Sequence, residues 1–290
     1  MLECLPTELV ITILQDAAED AVNANDRGTA HSIALTDKLT HKIVRPLLFR
    51  RVVVTTDNVI LLRDVLRSAD IAHLVLDLCL TAHPFGGDHE PFARTLTRLK
   101  CLRGYSNNIQ SALDGLSPCG RESLYKLQIW EVDMLSSIPS SVTHVCLWMR
   151  SLNPPSRESV AGWVLHHTPL THLAYELVLC QDEFSWDDRT FDPEDFAERV
   201  QAALEAGPQL AQLSFRLCGH ISDENWQECL VALRAQADDA PENLRMGSRV
   251  YIWRDLRLLK NYADDMKTCI TDCMTGVDVW SEARALKELW

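Results

Sequence analysis

The chain has 290 residues, 47% hydrophobic and 24% charged, the composition of a globular protein with one large domain or two. Its formal net charge of −13 argues against the basic footprint that a nucleic-acid binder needs. No apolar stretch approaches the length of a membrane span, and no basic region followed by an apolar run marks a secretory signal.

Charge is unevenly placed. Residues 1–67 hold nine acids and eight bases, so the remainder carries a charge of −12 and is expected to prefer basic or neutral partners, although a solvated acidic surface needs none. Ten cysteines are scattered without regular spacing, and Cys79, Cys146, Cys180 and Cys218 lie inside apolar strand-like runs, where a reduced thiol acts as a small hydrophobe. That usage predicts a reducing compartment, cytoplasmic and/or nuclear.

The first predicted helix starts at Leu5-Pro6-Thr7-Glu8. Proline suits a first helical turn, and Glu8 complements the positive end of the helix dipole. Glu8, Thr12, Gln15 and Glu19 form one narrow polar stripe, while Leu9, Val10, Ile11, Ile13, Leu14, Ala17 and Ala18 are apolar. Such a helix carries apolar surface enough for two faces, one for its own bundle and one for a partner. Burial of both under the rest of the chain is the alternative. Asn23–Gly28 reads as a loop. A second helix is predicted over Thr29–Val44, with Leu35, Leu39 and Ile43 on one face and Pro46 ending it. Pro46 to Val52 is a short helical turn that leads into a β-branched strand, Val52–Thr56.

Leu5-Pro6-x-Glu8-Leu9-x-x-x-Ile13-Leu14, then Ile33-Ala34-Leu35, then Val44-Arg45-Pro46-Leu47-Leu48-Phe49-Arg50-x-Val52 resembles an F-box of the form common in fungal F-box proteins. The resemblance covers about the first fifty residues. It implies a three-helix domain over residues 1–52 that docks on the Skp-type adaptor of a cullin–RING ubiquitin ligase, the rest of the chain holding a protein target. Carried onto this chain, the adaptor-facing residues are Leu5, Pro6, Leu9, Ile13 and Leu14, helped by Leu35, Pro46 and Leu47. Leu39-Thr40-His41 stands where many F-boxes place an aromatic, which leaves open an F-box-like interaction scaffold with no ligase role.

Beyond Val53 short apolar runs recur at His73–Leu78, Arg98–Cys101, Lys126–Trp130, His144–Met149, His172–Leu177 and Gln212–Leu217. Helix-like segments separate them at Asn58–Ser68, Arg157–His167, Pro193–Ala206 and Asp223–Gln236. Strand then helix at these steps resembles an irregular leucine-rich repeat, although the asparagine that usually follows the strand is missing from most units. An ordinary α/β domain is the rival. The predicted fold is therefore α/β: an N-terminal F-box-like domain and, over 53–290, a repeat-like α/β solenoid. A last strand at Ser248–Trp253 and helices over Asp255–Cys273 and Val279–Trp290 are expected to cap the end of the stack.

Strand alternation turns Leu127, Ile129, Val145, Leu147 and Met149 inward. It turns Gln128, Trp130, His144, Cys146, Trp148 and Arg150 to the other face, with Glu176, Ser214, Arg216, Tyr251 and Trp253. If the strands stack in parallel, Trp130, His144, Trp148, Arg150, Glu176, Arg216, Tyr251 and Trp253 line one concave surface rich in the residue types that dominate binding hot spots. The alternative is that these aromatics pack beneath loops or the C-terminal helices.

Catalytic chemistry finds little support. There is no Gly-rich phosphate loop, no Gly-x-Ser-x-Gly and no His-Glu-x-x-His. His73, His144 and His172 each open a strand-like run, but a repeat puts like residues on different rungs rather than in one metal shell. Cys269-x-x-x-Cys273 could pair two ligands on a helix without a second pair nearby. The acids of 182–198 are half explained by Asp192-Pro193 opening a helix. No metal, cofactor or catalytic residue is expected. The expected partners are the adaptor, a cullin through it, and a protein target, with an enzyme using dispersed cysteine and histidine as the remaining rival.

Overall fold

The computed structural model describes residues 7–24, 26–67, 69–81, 93–130, 135, 137–149, 164, 169–179, 192–219, 223–255 and 262–289. The chain begins with three helices, α1 (Thr7–Asn23), α2 (Arg27–Ala34) and α3 (Lys38–Arg50). They enclose their own small core of Ala18, Ala21, Val22, Ala30, Ala34 and Val44, with Ile33, Leu47 and Leu48 packed against it.

The helix expected over Thr29–Val44 is in fact two. Asp37 is extended, with φ −160° and ψ 175°, and its carboxylate accepts from the backbone N–H of Leu39 at 2.7 Å and Thr40 at 2.9 Å, starting a new helix. Asp26 caps α2 in the same way through Thr29. Pro46 does not end its helix. It lies inside α3, which runs to Arg50 and passes into strand β1 (Arg51–Val54) without a linker. Proline removes one hydrogen bond of the ladder. Val44, Leu47 and Leu48 on the inner face hold the following turn in place.

Among the described residues the rest is built on one nine-stranded sheet in strictly sequential order: β1, β2 (Asp77–Leu80), β3 (Cys101–Tyr105), β4 (Lys126–Trp130), β5 (His144–Met149), β6 (His172–Leu179), β7 (Gln212–Gly219), β8 (Val250–Asp255) and β9 (Arg284–Ala285). All neighbours pair in parallel except β9, which runs antiparallel along β8. Connecting helices are α4 (Val59–Leu66), α5 (Ala69–Ala72), α6 (Ser106–Gly115), α7 (Pro118–Ser123), α8 (Pro193–Ala206), α9 (Asp223–Asp239) and α10 (Met246–Arg249). The fold is thus α/β with a mostly parallel sheet preceded by three helices.

Register explains the core. Val52, Leu78, Leu102, Leu127, Val145, Leu173, Leu213 and Val250 stand side by side in one row. Val54, Leu80, Gly104, Ile129, Leu147, Tyr175, Phe215 and Ile252 form a second row on the same face. All but Gly104 belong to the main hydrophobic core, where residues of α4, α6, α8 and α9 meet them. Gly104 has φ +148°, and a Cβ there would lie 2.5 Å from the Leu80 carbonyl oxygen.

Two expected strands begin later than their apolar runs. Leu74 and Val75 close the turn after α5, and Leu76 donates to the Arg50 carbonyl before β2 starts at Asp77. His73 is an exposed turn residue and opens no strand. Leu99 is likewise buried before β3 begins. Corner residues fill the core, so they mimic the alternation of a strand. Helices α4, α8 and α9 lie where predicted, whereas of the segment expected over Arg157–His167 only Val164 is described.

The C-terminal segment departs from expectation. α11 (Tyr262–Thr275) does not cap the end of the stack; it packs against β1, β2 and α1, at the opposite end from β8. Gly276, at φ +80°, then reverses the chain beside the Arg51 guanidinium, where a Cβ would not fit. The chain returns through α12 (Val279–Glu282) against β7 and β8, and β9 closes the β8 edge. The helix expected over Val279–Trp290 is therefore α12, β9 and a 3-10 turn at Leu286–Glu288. An uncovered second sheet face would leave Trp130, Trp148 and Cys79 in water, and covering it is worth more than lengthening a terminal helix. No described helix is long and apolar enough to cross a membrane.

Candidate functional site

Two surfaces carried functional expectations. On the N-terminal unit, Leu9 is 46% exposed and Ile13 48%, four residues apart on one stripe of α1. The buried side of that helix is set by Ala18, Ala21 and Val22. Leu35, at the α2–α3 corner, is 68% exposed, and Pro46 is exposed on α3. Leu14 and Leu47 are half-buried, and Leu47 spends its apolar surface on the unit's own core. Leu5 and Pro6 lie outside the described residues. Leu39 was not among the expected site residues; the sequence put it on one face with Leu35 and Ile43 in a continuous helix, whereas the chain breaks at Asp37 and Leu39 stands 47% exposed.

The second surface is the sheet face opposite the main core. Alternation does place Trp130, Trp148, Glu176, Arg216 and Trp253 there, in one row that starts at Tyr105. Tyr251 aligns with Ser214 in the neighbouring row and His144 with His172 in the row beyond; Arg150 lies outside the described residues. The face is not the open concave surface expected. Trp130 is 1% exposed, Glu176 and Arg216 3% each and Trp148 5%, while His144, Tyr251 and Trp253 are half-buried. The cause is the returning C-terminal segment, which contributes Asp272, Cys273, Asp278, Val279 and Trp280 to this layer.

What the covered face holds is a buried polar network. Arg103 Nη1 donates to Gln128 Oε1 at 3.0 Å, and Gln128 Nε2 donates to Glu176 Oε2 at 3.0 Å. Arg216 Nη1 donates to Glu176 Oε1 at 3.0 Å, its Nε and Nη2 to Asp255 Oδ2 at 3.0 and 2.7 Å, and Nη2 also to Asp272 Oδ2 at 2.6 Å. The Trp253 ring lies 4.4 Å from the guanidinium. Burial disfavours the Arg216 cation, but Glu176 and its fellow carboxylates more than offset that, and the pKa stands above its ordinary value. Beside this network Lys126 pairs with Asp278 and lies 4.5 Å from the Trp280 ring centre.

His144 and His172 stack with ring centres 4.0 Å apart, and Trp280 meets His144 edge-on. Burial first, then His172 and Lys126, push His144 down to about 4, so both rings favour the neutral form at pH 7. They make no metal shell: among the described residues no group of three or more His, Cys, Asp or Glu is arranged to hold an ion. The enclosed space lined by Lys126, Gln128, Glu176, Arg216, Asp272 and Trp280 is about 10 Å³, room for about one water and no substrate. In this state the face is an inner polar layer.

Arg103, Lys126, Asp255, Asp272 and Asp278 were not among the expected site residues. A signal did exist. Arg103, Lys126 and Gln128 interrupt apolar strand runs, and polar residues in such runs need partners that the sequence does not identify.

An open concavity lies elsewhere, in the groove between α8 and α9. It has a volume of about 760 Å³, a floor of Ala197, Val231, Ala232 and Ala235, and Glu194, Glu198 and Glu228 along its sides. Val231 is 68% exposed there. The acids of α8 include the expected helix start, since Asp192 accepts from the Glu194 N–H at 2.9 Å.

No family model matches the chain, and no curated protein matches it.

Proposed function

We propose that this chain is a substrate-receptor subunit of a Skp–cullin–F-box type ubiquitin ligase, a tether rather than a catalyst. The N-terminal three helices are the F-box and dock on the adaptor; the sheet region is a degenerate leucine-rich-repeat solenoid that carries a protein target. Tethering makes ubiquitin transfer effectively intramolecular, with the reacting groups on other subunits.

One observation carries the reading. The three-helix unit closes its own core, yet α1 keeps Leu9 and Ile13 about half exposed, as the Leu-Pro-x-Glu-Leu resemblance requires of an adaptor-facing helix. Sequential parallel pairing of β1 to β8 supports the solenoid reading, because a stack of strand-helix units adds each strand beside the last. With the Trp130–Arg216 face covered, the target is assigned to the outer surface of the sheet region, whose open concavity is the α8–α9 groove.

The test is binding of the full-length chain to a purified Skp-type adaptor by calorimetry. Burying the exposed halves of Leu9 and Ile13 contributes about 1 kcal/mol each, so Leu9→Ala with Ile13→Ala weakens binding about 30-fold. Circular dichroism and the melting temperature should be unchanged, since neither side chain lies in the helical core. Absence of adaptor binding by the parent chain, or equal binding by the double variant, overturns the proposal.

A further inference from the structure

Behind the network two thiols from distant parts of the chain meet. Cys79 on β2 and Cys273 near the end of α11 are both fully buried, in no disulfide, and packed with Trp130 and Trp148. The two share one buried cluster where β2 and α11 pack together. Arg103 stands beside Cys79 in the sheet register, is 5% exposed, and has an Nε with no hydrogen-bond partner. Arg27 of α2, Arg51 of β1, Asp77 of β2 and Cys101 of β3 are further ionisable groups close enough to act on these thiols.

We propose that Cys79 and Cys273 are a reversible dithiol–disulfide site, oxidised by a small-molecule disulfide of the glutathione class, whose closure fastens α11 to the sheet. The thiol pair, not a lone cysteine, carries the argument: two thiols in one buried cluster, on separate elements, next to a buried cation that donates to a neutral amide and whose Nε has no hydrogen-bond partner. Contact with Cys79 and the charges of Arg103 and Arg51 bring Cys273 down to about 7 against the opposing effect of burial, so an appreciable fraction is thiolate at neutral pH.

The chemistry balances as two exchanges. The Cys273 thiolate attacks one sulfur of oxidised glutathione, forming a mixed disulfide and expelling one glutathione thiolate. Cys79, losing its proton to solvent, then attacks the Cys273 sulfur, forming the protein disulfide and expelling the second glutathione. The two protein thiols are oxidised by two electrons, and one glutathione disulfide is reduced to two thiols. Both sulfurs are buried, so the first exchange waits on a local opening of α11. Once formed, the bond closes a loop running from β2 to the C-terminal helix and holds the cover on the Trp130–Arg216 face.

The full-length chain is incubated with oxidised glutathione under native conditions, alkylated and mapped by mass spectrometry. The expected product links the Cys79 and Cys273 peptides, dithiothreitol reverses it, and amide exchange across Tyr262–Thr275 slows on oxidation. In Cys79→Ser the reaction stops at a glutathione adduct on Cys273. If both thiols stay free in the native protein and oxidise only after unfolding in guanidinium, the proposal is overturned. A native link from Cys273 to Cys101 or Cys269 also overturns it. The map of the parent chain decides the matter even where a variant fails to fold.

Discussion

Arg216 is the most informative residue to change. It is 3% exposed and makes four N–H···O contacts, at 2.6–3.0 Å, to the carboxylates of Glu176, Asp255 and Asp272. Arg216→Met keeps much of the volume and removes the cation, so three carboxylates drawn from β6, β8 and α11 are left facing one another at the same depth. Removing one partner of a buried ion pair costs about 3–5 kcal/mol, because the remaining charge has lost both water and counter-ion. With an m-value of about 3 kcal/mol per M, the urea midpoint falls by roughly 1–1.7 M. Tryptophan fluorescence is the assay, since Trp130, Trp148 and Trp253 sit in this layer. Adding Glu176→Gln and Asp272→Asn to Arg216→Met should recover part of the midpoint, because the repulsion is then gone. A midpoint unchanged or raised in Arg216→Met at pH 7 would refute the assignment of this network as an interdependent charged layer.

Other outcomes follow from single positions. Gly104→Ala places a Cβ 2.5 Å from the Leu80 carbonyl oxygen at φ +148°, so the melting temperature should drop by several degrees, and an unaltered melt would refute the close approach of β2 and β3. His144 titrates at about 4 in the folded state and near 6.5 when unfolded, so its contribution is full above 6.5 and is lost as pH falls toward 4, when the unfolded chain takes up the proton first. Urea midpoints between pH 7 and 4 should therefore decline, and less steeply in His144→Asn; a ring titrating near 6.5 by NMR would contradict the packed arrangement with His172 and Trp280.

Much of the architecture could be read along the chain. The helix Pro193–Ala206 was legible to the residue, because an Asp-Pro start and a glycine end bracket one apolar stripe. The side-chain facing of β4 to β7 was legible because period-two alternation is a local property. The break at Asp37 was not, since an extended aspartate cap and a solvent-facing helical aspartate look alike until the backbone conformation is known. Pro46 misled for the opposite reason: a local rule predicts a stop, and packing of Leu47 and Leu48 overrides it.

The chain by itself settled which residues share a face, since facing depends only on spacing along a helix or strand. It left open which of those faces stays wet. Trp130, Trp148, Glu176 and Arg216 were assigned correctly to one side of the sheet, yet whether that side meets a partner or the chain's own tail depends on where residues 262–285 go. That choice was decided by long-range contacts: Asp272 reaching Arg216, Asp278 reaching Lys126 and Cys273 reaching Cys79. Such partners lie far apart in the chain, and only the folded arrangement brings their charges and sulfurs together.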